Sequence, residues 1–411
     1  MVLTWMFSIG AALAVLVGFV SGQASAPKPR SAPEAPQAPA FQVEPFWPRP
    51  LPDHWLFGSL TGVAVDSRNH VWVVHRGAAS LNARTEMSAA TNPKTAEPCC
   101  IPAPQVLQFD PAGNVATSWG GPGPGYDWPQ SPGGIAVDGN GNVWIAAAGP
   151  PDPLPGTRTG RGGRGGTPAA PPPPDAHVLK FAPDGKFLLQ IGKAGQIGDS
   201  NSTTALHRPT AVSVDVAARE VYVADGMNNR RIVVFDSETG AYKRHWGAYG
   251  EKPGVADPGP YDPAAPPAKD FRVPSCVQLS SDGHVYVCDR RNNRIQVFRK
   301  DGSFVREAFI AKETRGEGAV WDVAFSNDSR QQYLYVADGS NQKVWVLYRQ
   351  TLRNVTSIGA GGRGPGQFFG VGSVAVDSEG TLYTGETYEG KRVQKFALKG
   401  AATPNTKEQQ P

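Results

Sequence analysis

Residues 272–298 read RVPSCVQLSSDGHVYVCDRRNNRIQVF. Three runs of alternating apolar residues are separated by two short polar turns, which is the pattern of antiparallel strands joined by hairpins. The same unit recurs six times along the chain. Its first strands are Val63–Asp66, Ile135–Asp138, Val212–Asp215, Val277–Ser280, Val323–Ser326 and Val374–Asp377.

A second strand follows each first strand after a polar turn, as VWVVH, VWIAA, VYVAD, VYVCD, LYVAD and LYTGE. Third and fourth strands complete the unit. Four antiparallel strands per unit, repeated six times, predict an all-β six-bladed β-propeller. The last unit ends after its third strand, VQKFA. We therefore expect the N-terminal stretch FQVEPFW (41–47) to supply the outer strand of the last blade and close the ring.

The N-terminus predicts export. An uncharged apolar run at 6–20 is followed by small residues at Gly22 and Ala24, which fits a signal peptide over 1–24 and a secreted or periplasmic protein. The run is shorter than the ~20 residues of a spanning helix, which favours cleavage over an uncleaved anchor.

The rest of the chain divides by composition. Residues 25–40 are a Pro/Ala-rich linker, 41–400 form the propeller, and 401–411 are a polar tail that we expect to be disordered. A low-complexity insertion at 149–176 interrupts the second blade.

The charge balance by itself decides little about partners. The formal net charge is +4, and no long basic block is present. The Arg/Gly tract of the insertion is interpreted as a flexible linker, because it lies in a Pro-rich loop of an exported chain. We therefore expect no nucleic-acid partner, and no membrane contact beyond the export signal.

Four cysteines are present: Cys99, Cys100, Cys276 and Cys288. Counting outward from the turn SSDGH places Cys276 opposite Cys288, so this pair is a candidate disulfide in an exported protein. The adjacent Cys99 and Cys100 could bridge to each other or to that pair, and the sequence leaves the three pairings open. A zinc site is disfavoured, because there is no C-x-x-C and no nearby His.

Four blades carry an acid at the end of the second strand and a base five or six residues later. The pairs are Asp225/Arg231, Asp289/Arg294, Asp338/Lys343 and Glu386/Arg392. They could form a ring of ligand-binding charges, or ion pairs that close each hairpin. Repetition at equivalent places favours the structural interpretation.

The units resemble NHL repeats, on the evidence of residues 272–298 and of GGRGPGQFFGVGSVAVDSEGTLY at 361–383. More narrowly, VWVVHRG (71–77) and VYVADGMNNRRIVVF (221–235) resemble peptidyl-α-hydroxyglycine α-amidating lyase. That resemblance implies a secreted six-bladed propeller that uses zinc to cleave hydroxyglycine-extended peptides, and that also holds a structural calcium.

The resemblance also implies positions for the site. The three zinc histidines fall on Gly133, Ser275 and Gly372, and the catalytic tyrosine falls on Met227. A carboxylate that follows the third histidine falls on Ser373, which puts the calcium in doubt. Glycine and serine cannot ligate zinc as imidazole does, so we expect no metal centre of the family type.

Two arginines of the family are retained, Arg76 and Arg290. By resemblance they lie near the channel mouth, where they would bind a carboxylate or another anion; solvated loop charge is the alternative. Among the seven histidines, His75 and His207 fall near inner strand ends, which is fewer than the three ligands that a catalytic zinc needs.

Two hypotheses of function follow. In the first, the chain is a diverged, non-catalytic binding scaffold of the amidating-lyase-like group, whose channel mouth takes a peptide or small anionic ligand, or whose loops bind a protein partner. In the second, it is an enzyme, either an amidating lyase or another propeller lyase or hydrolase that uses a non-standard site. The fold alone does not decide between them.

Overall fold

The computed structural model describes residues 2, 37–82, 84–90, 99–150, 172–256 and 258–402. The predicted signal peptide, the linker up to residue 36, residues 151–171 of the insertion and residues 403–411 of the tail lie outside this part of the chain. Every strand of the described residues lies in the unit Pro36–Pro411.

The strands follow one another along the chain with short connections. The first thirteen are β1 (Ala38–Val43), β2 (Trp55–Leu56), β3 (Leu60–Val65), β4 (Val71–His75), β5 (Ile101–Pro102), β6 (Val106–Phe109), β7 (Val115–Trp119), β8 (Pro132–Val137), β9 (Val143–Ala147), β10 (His177–Phe181), β11 (Phe187–Gly192), β12 (Ala211–Asp215) and β13 (Glu220–Asp225). The others are β14 (Arg231–Asp236), β15 (Tyr242–Trp246), β16 (Pro274–Leu279), β17 (His284–Asp289), β18 (Arg294–Arg299), β19 (Phe304–Phe309), β20 (Asp322–Phe325), β21 (Tyr333–Asp338), β22 (Lys343–Tyr348), β23 (Arg353–Ile358), β24 (Val371–Val376), β25 (Leu382–Glu386) and β26 (Val393–Ala402).

Six four-stranded antiparallel sheets contain all of these strands except β2 and β5, which pair with each other in parallel. The sheets are the blades, and they confirm the predicted six-bladed propeller. The inner strands β3, β8, β12, β16, β20 and β24 contact one another in ring order around a central channel.

Helical structure is sparse in the described residues. It comprises α1 (Met87–Ala90) and the short 3₁₀ turns Pro52–His54, Gly77–Ser80, Ala248–Gly250 and Arg290–Asn292. No helix in this part of the chain has the length and apolar character needed to cross a bilayer.

Aspartate side chains and glycines stabilise the turn of the first hairpin in several blades. In blade 2, Asp138 Oδ1 accepts hydrogen bonds from the backbone N–H groups of Asn140 and Asn142, both at 2.9 Å. Gly141 then takes a φ of 82°, which residues with a Cβ rarely adopt. The side chain of the aspartate thus replaces backbone partners that a tight turn lacks.

The hydrophobic core is divided among the blade interfaces. Six clusters of buried residues each join two neighbouring blades. Between blades 3 and 4, for example, Tyr222, Val234 and Trp246 pack with Val287 and Phe298. A blade therefore buries its two apolar faces only when both neighbours are present.

The ring closes through the N-terminus, as predicted, but with a different segment. The outer strand of blade 6 is Ala38–Val43, not 41–47, and it pairs with β26, which extends to Ala402. The expected limits 41–400 are thus too narrow, because the long β26 pairs Pro39 with Ala401 beyond both limits. Trp47 lies outside the strand and packs on Phe109 of blade 1 and Tyr383 of blade 6.

Both cysteine pairs are disulfide-bonded. Cys276 and Cys288 face each other across β16 and β17 with 4.9 Å between their Cα atoms, as the sequence register predicts. Cys99 and Cys100 are bonded to each other, which was one of the pairings left open.

Candidate functional site

The central channel opens at one end into a cavity of about 450 Å³ that residues from all six blades line. Two kinds of segment contribute: the beginnings of the inner strands, and the turns that follow the second strands. Because these segments recur at the same place in each repeat, residues far apart in sequence meet here. The large or charged side chains of its lining include those of Arg76, Met227, Arg290, Glu317, Trp321 and Tyr388.

The residues singled out by sequence also meet at this cavity. Its lining includes Arg76, Gly133, Met227, Ser275, Arg290 and Gly372. Ser373 is buried and does not line it. The topology thus brings together the six predicted channel positions, whatever their roles.

Two of the three positions that the resemblance assigns to zinc, Gly133 and Ser275, form contacts between blades. A Cβ on Gly133 would lie 2.7 Å from the carbonyl oxygen of Thr210 in blade 3. Ser275 Oγ donates to the carbonyl oxygen of Trp321 in blade 5 at 2.8 Å. These residues supply no imidazole, thiolate or carboxylate, so they do not fit a zinc ion. In the described residues, no group of three or more His, Cys, Asp and Glu side chains is placed so that it could hold a metal ion.

His75 is a structural residue. Its Nδ1 accepts hydrogen bonds from the backbone N–H groups of Gly58 and Gly77, both at 3.0 Å, so Nε2 carries the proton and donates to Pro104 O at 2.8 Å. Burial lowers the pKa of His75 to about 4, which keeps the ring neutral. His207, the other candidate, does not line the cavity.

Arg76 extends into the cavity from the end of β4. Its Nε donates to Ser131 Oγ at 2.9 Å. No carboxylate of the described residues forms an ion pair with it, so its two Nη groups keep their hydrogen-bonding capacity for a ligand. Burial lowers the pKa of Arg76, and Arg208 nearby lowers it further, yet a guanidinium remains charged at neutral pH.

Arg290 reaches the cavity from blade 4, which lies across the ring from blade 1. It forms an ion pair with Glu317, and its Nε donates to the Glu317 carbonyl at 2.8 Å. The guanidinium lies over the Trp321 ring, 4.0 Å from its centroid. Burial lowers the pKa of Arg290 to about 10. The side chain is therefore desolvated and fixed in position.

The cavity has excess positive charge. Its lining contains three guanidinium groups, of Arg76, Arg290 and Arg291, against the single carboxylate of Glu317, which pairs with both residues of blade 4. The proximity of Arg76 lowers the pKa of Arg290, as expected for like charges in a partly desolvated site. An anion bound between the two blades would relieve this repulsion.

Tyr388 is a cavity residue that sequence reasoning missed. Its phenol is near Arg290 and Arg76, where it partly opposes the lowering of their pKa values by burial. Its ring meets Trp321 edge to face at 6.0 Å, and 40% of the residue is exposed. A signal was available: Tyr388 follows Glu386 by two residues, as Met227 follows Asp225, so the two occupy equivalent positions in opposite blades.

The acid–base pairs of the second hairpins lie away from the cavity. Three of the four are ion pairs: Asp225–Arg231 at 3.0 Å, Asp289–Arg294 at 2.8 Å and Glu386–Arg392 at 2.5 Å. In blade 5 the carboxylate instead accepts from Trp345 Nε1 and Asn341 Nδ2, and Lys343 lies over the Trp345 ring. This arrangement favours the structural interpretation.

Comparison with known proteins identifies one of the repeats. Residues 271–298 match the NHL repeat family model. The chain is a six-bladed β-propeller with an NHL repeat in its fourth blade. Among solved structures, a protein of unknown function from Bacteroides thetaiotaomicron superposes on the NHL propeller with a TM-score of 0.50 at 14% identity, covering 88% of this chain and 77% of that one. This likeness concerns the fold alone.

Curated relatives fall into two groups. Peptidylglycine alpha-amidating monooxygenase of Rattus norvegicus is 28% identical over 258 residues, which cover 61% of this chain and 22% of the relative. NHL repeat-containing protein 3 of Mus musculus is 25% identical over 309 residues, covering 73% of this chain and 65% of the relative. The NHL propeller therefore resembles the amidating enzymes but spans about a fifth of their length.

Proposed function

We propose that the channel mouth binds a small carboxylate ligand, and that the protein is a diverged binding scaffold without the zinc chemistry of the amidating lyases. One observation carries this proposal: two arginines from opposite blades meet at a partly desolvated cavity that contains a single carboxylate. Guanidinium groups are the donors best suited to carboxylates, because their paired N–H groups match the two oxygens.

The contacts of the two arginines support this role. Arg290 is held by Glu317 and Trp321, so little side-chain entropy is lost when a ligand binds. Arg76 donates through Nε to Ser131 and lines the cavity. A carboxylate between them would receive charge-assisted hydrogen bonds from both sides.

The former zinc positions support the absence of metal catalysis. Restoring a histidine at position 133 would push a Cβ against the Thr210 carbonyl, and position 275 is engaged with the blade 5 backbone. Positions 133 and 275 are thus part of the packing between blades. The name of the rat relative refers to peptidylglycine, a peptide with a free terminal carboxylate, and such an end group is one candidate ligand.

Export is part of the same proposal. Two disulfides in the described residues support an oxidising compartment, because such bonds are rare in the reducing cytosol. Together with the predicted signal peptide they favour a secreted or periplasmic protein.

Calorimetric titration with N-acetylglycine tests the proposal. We expect binding to the wild type, and no binding of the neutral N-acetylglycinamide. Arg76→Ala should weaken the affinity by about tenfold or more, since it removes hydrogen bonds to a charged group. Arg353→Ala, an exposed arginine of β23, is the matched control and should leave the affinity unchanged.

Two results would overturn the proposal. Equal affinity for the acid and its amide would show that the arginines do not recognise the carboxylate. Stoichiometric zinc in the purified protein, together with turnover of a hydroxyglycine peptide, would establish the alternative, an active lyase.

A further inference from the structure

Tyr388 has an unusual backbone conformation. Its φ is 48°, in the left-handed region that a bulky side chain rarely occupies. Three hydrogen bonds hold the turn: Ser59 Oγ donates to the Tyr388 carbonyl at 2.7 Å, the Thr387 N–H donates to Gly370 O at 2.8 Å, and the Gly390 N–H donates to Thr387 O at 3.0 Å. Strained residues that are fixed in this way cluster at binding sites.

We propose that Tyr388 is the specificity-determining residue of the channel mouth, and that it selects carboxylates attached to an apolar or aromatic group. This rests on the proposed carboxylate site. The phenol donates a hydrogen bond to the carboxylate that Arg76 and Arg290 hold, and the tyrosine ring packs on the group next to that carboxylate.

The position of the phenol supports the first half of the assignment. Ser59 contacts both Arg76 and Tyr388, since its carbonyl accepts from the Arg76 N–H at 3.0 Å and its Oγ donates to the Tyr388 carbonyl at 2.7 Å. Trp321 contacts both Tyr388 and Arg290, whose guanidinium lies over the same indole ring. The edge-to-face contact with Trp321, whose Nε1 donates to Gly318 O at 2.7 Å, restricts the tilt of the tyrosine ring. A third donor is therefore fixed where an anion would meet the two arginines.

The apolar walls support the second half. Met227 lines the cavity from blade 3, which lies across the ring from Tyr388 in blade 6. A thioether and an aromatic ring thus flank the site from two blades other than those that supply the arginines. A cavity of about 450 Å³ also lies in the size range of sites for ligands much larger than a two-carbon acid.

The test compares N-acetyl-L-phenylalanine with N-acetylglycine by calorimetric titration of the full chain. We expect the aromatic acid to bind the wild type at least about tenfold more tightly, since burying a large apolar side chain is strongly favourable. Equal affinities would overturn this inference and leave the carboxylate site intact. If neither acid binds, the proposed function itself fails.

Two substitutions distinguish the contribution of the phenolic hydroxyl to binding from that of the aromatic ring. Tyr388→Phe should weaken the binding of both acids by a similar factor of about ten, because the hydroxyl donor is lost and the ring remains. Tyr388→Asn should abolish the preference for the aromatic acid, and asparagine tolerates the left-handed backbone. Tyr333→Phe, at the start of β21 and outside the cavity lining, is the control and should change neither affinity.

Thermal unfolding of each variant shows whether a change in affinity comes from loss of the fold. Tyr388→Asn should unfold at the wild-type temperature or above, because the backbone strain is relieved. An undiminished preference for the aromatic acid in this folded variant would overturn the assignment.

Discussion

The guanidinium of Arg290 lies 4.0 Å from the centroid of the Trp321 ring, and the indole Nε1 is in turn anchored to the Gly318 carbonyl at 2.7 Å. Gly318 directly follows Glu317, the carboxylate partner of Arg290. One short connection between blades 4 and 5 therefore positions the arginine by charge, by stacking and by the backbone.

Trp321→Phe should weaken the binding of N-acetylglycine by about three- to tenfold, because the cation–π contact is reduced and the anchor to Gly318 is lost. Trp119→Phe is the matched control. It also removes one indole hydrogen bond to a backbone carbonyl, that of Pro183, at 3.1 Å. Titration should show an affinity loss in the first variant only. A wild-type affinity in Trp321→Phe would show that the stack is dispensable.

Arg231→Met should lower the free energy of unfolding by about 3–5 kcal/mol, because Asp225 would remain as an uncompensated charge at a site where both side chains are fully buried. Lys343→Met at the equivalent position of blade 5 should cost less than about 1 kcal/mol, since this lysine has no ion pair with Asp338. Urea titration of the two variants measures the difference. Equal losses would mean that the repeated pairs do not act as closed hairpin bridges.

Trp47→Ala should destabilise the fold by about 3–5 kcal/mol, the usual cost of deleting a buried aromatic side chain. Trp47 is 6% exposed and packs on both blade 1 and blade 6. Its neighbour Phe46 is 83% exposed, so Phe46→Ala should change stability by less than about 0.5 kcal/mol.

Truncation extends the same prediction to the closing strand. Deleting residues 1–47 removes β1 and should prevent cooperative unfolding, whereas deleting residues 403–411 should leave the melting temperature unchanged. Similar melting temperatures for the two truncations would contradict closure through the N-terminus.

Asp322→Asn should change the pH dependence of stability. Burial raises the pKa of Asp322 to about 7, although its carboxylate accepts hydrogen bonds from the N–H groups of Val374 and Val323. The folded state therefore holds this proton more tightly than the unfolded state, whose pKa is near 4. The contribution of this bound proton to the free energy of unfolding is complete below pH 4 and is lost as the pH rises to about 7.

The asparagine variant lacks this titration. Its stability relative to the wild type should rise between pH 4.5 and pH 7.5, which urea unfolding at the two pH values measures. A difference between the proteins that stays constant with pH would show that the carboxyl is not buried in the manner described.

The fold was predictable because its signal is repeated. Six copies of one hairpin pattern fix the blade count, and counting from the turn at 280–284 was enough to place Cys276 opposite Cys288. The closing strand was shifted by three residues at its start, because the length of β26 is not evident from its weak sequence pattern.

The channel was predictable only in part. Arg76, Met227 and Arg290 fall at recognisable repeat positions, and the cavity includes all three. The role of Gly133 in packing against Thr210 depends on the distance between two blades, which no sequence pattern encodes. Tyr388 escaped notice because its backbone φ and its contact with Ser59, 329 residues away, arise only once the ring is closed.

Four of the side chains that line the cavity come from turns, while the hydrophobic clusters lie between the sheets. Arg76, Met227, Arg290 and Tyr388 each come from a different hairpin and belong to none of the six buried clusters. Selection can therefore exchange one of these side chains at a time with little effect on the core. These turn positions can therefore be varied independently while the blades stay the same, which suits them to a combinatorial library that searches for new ligands.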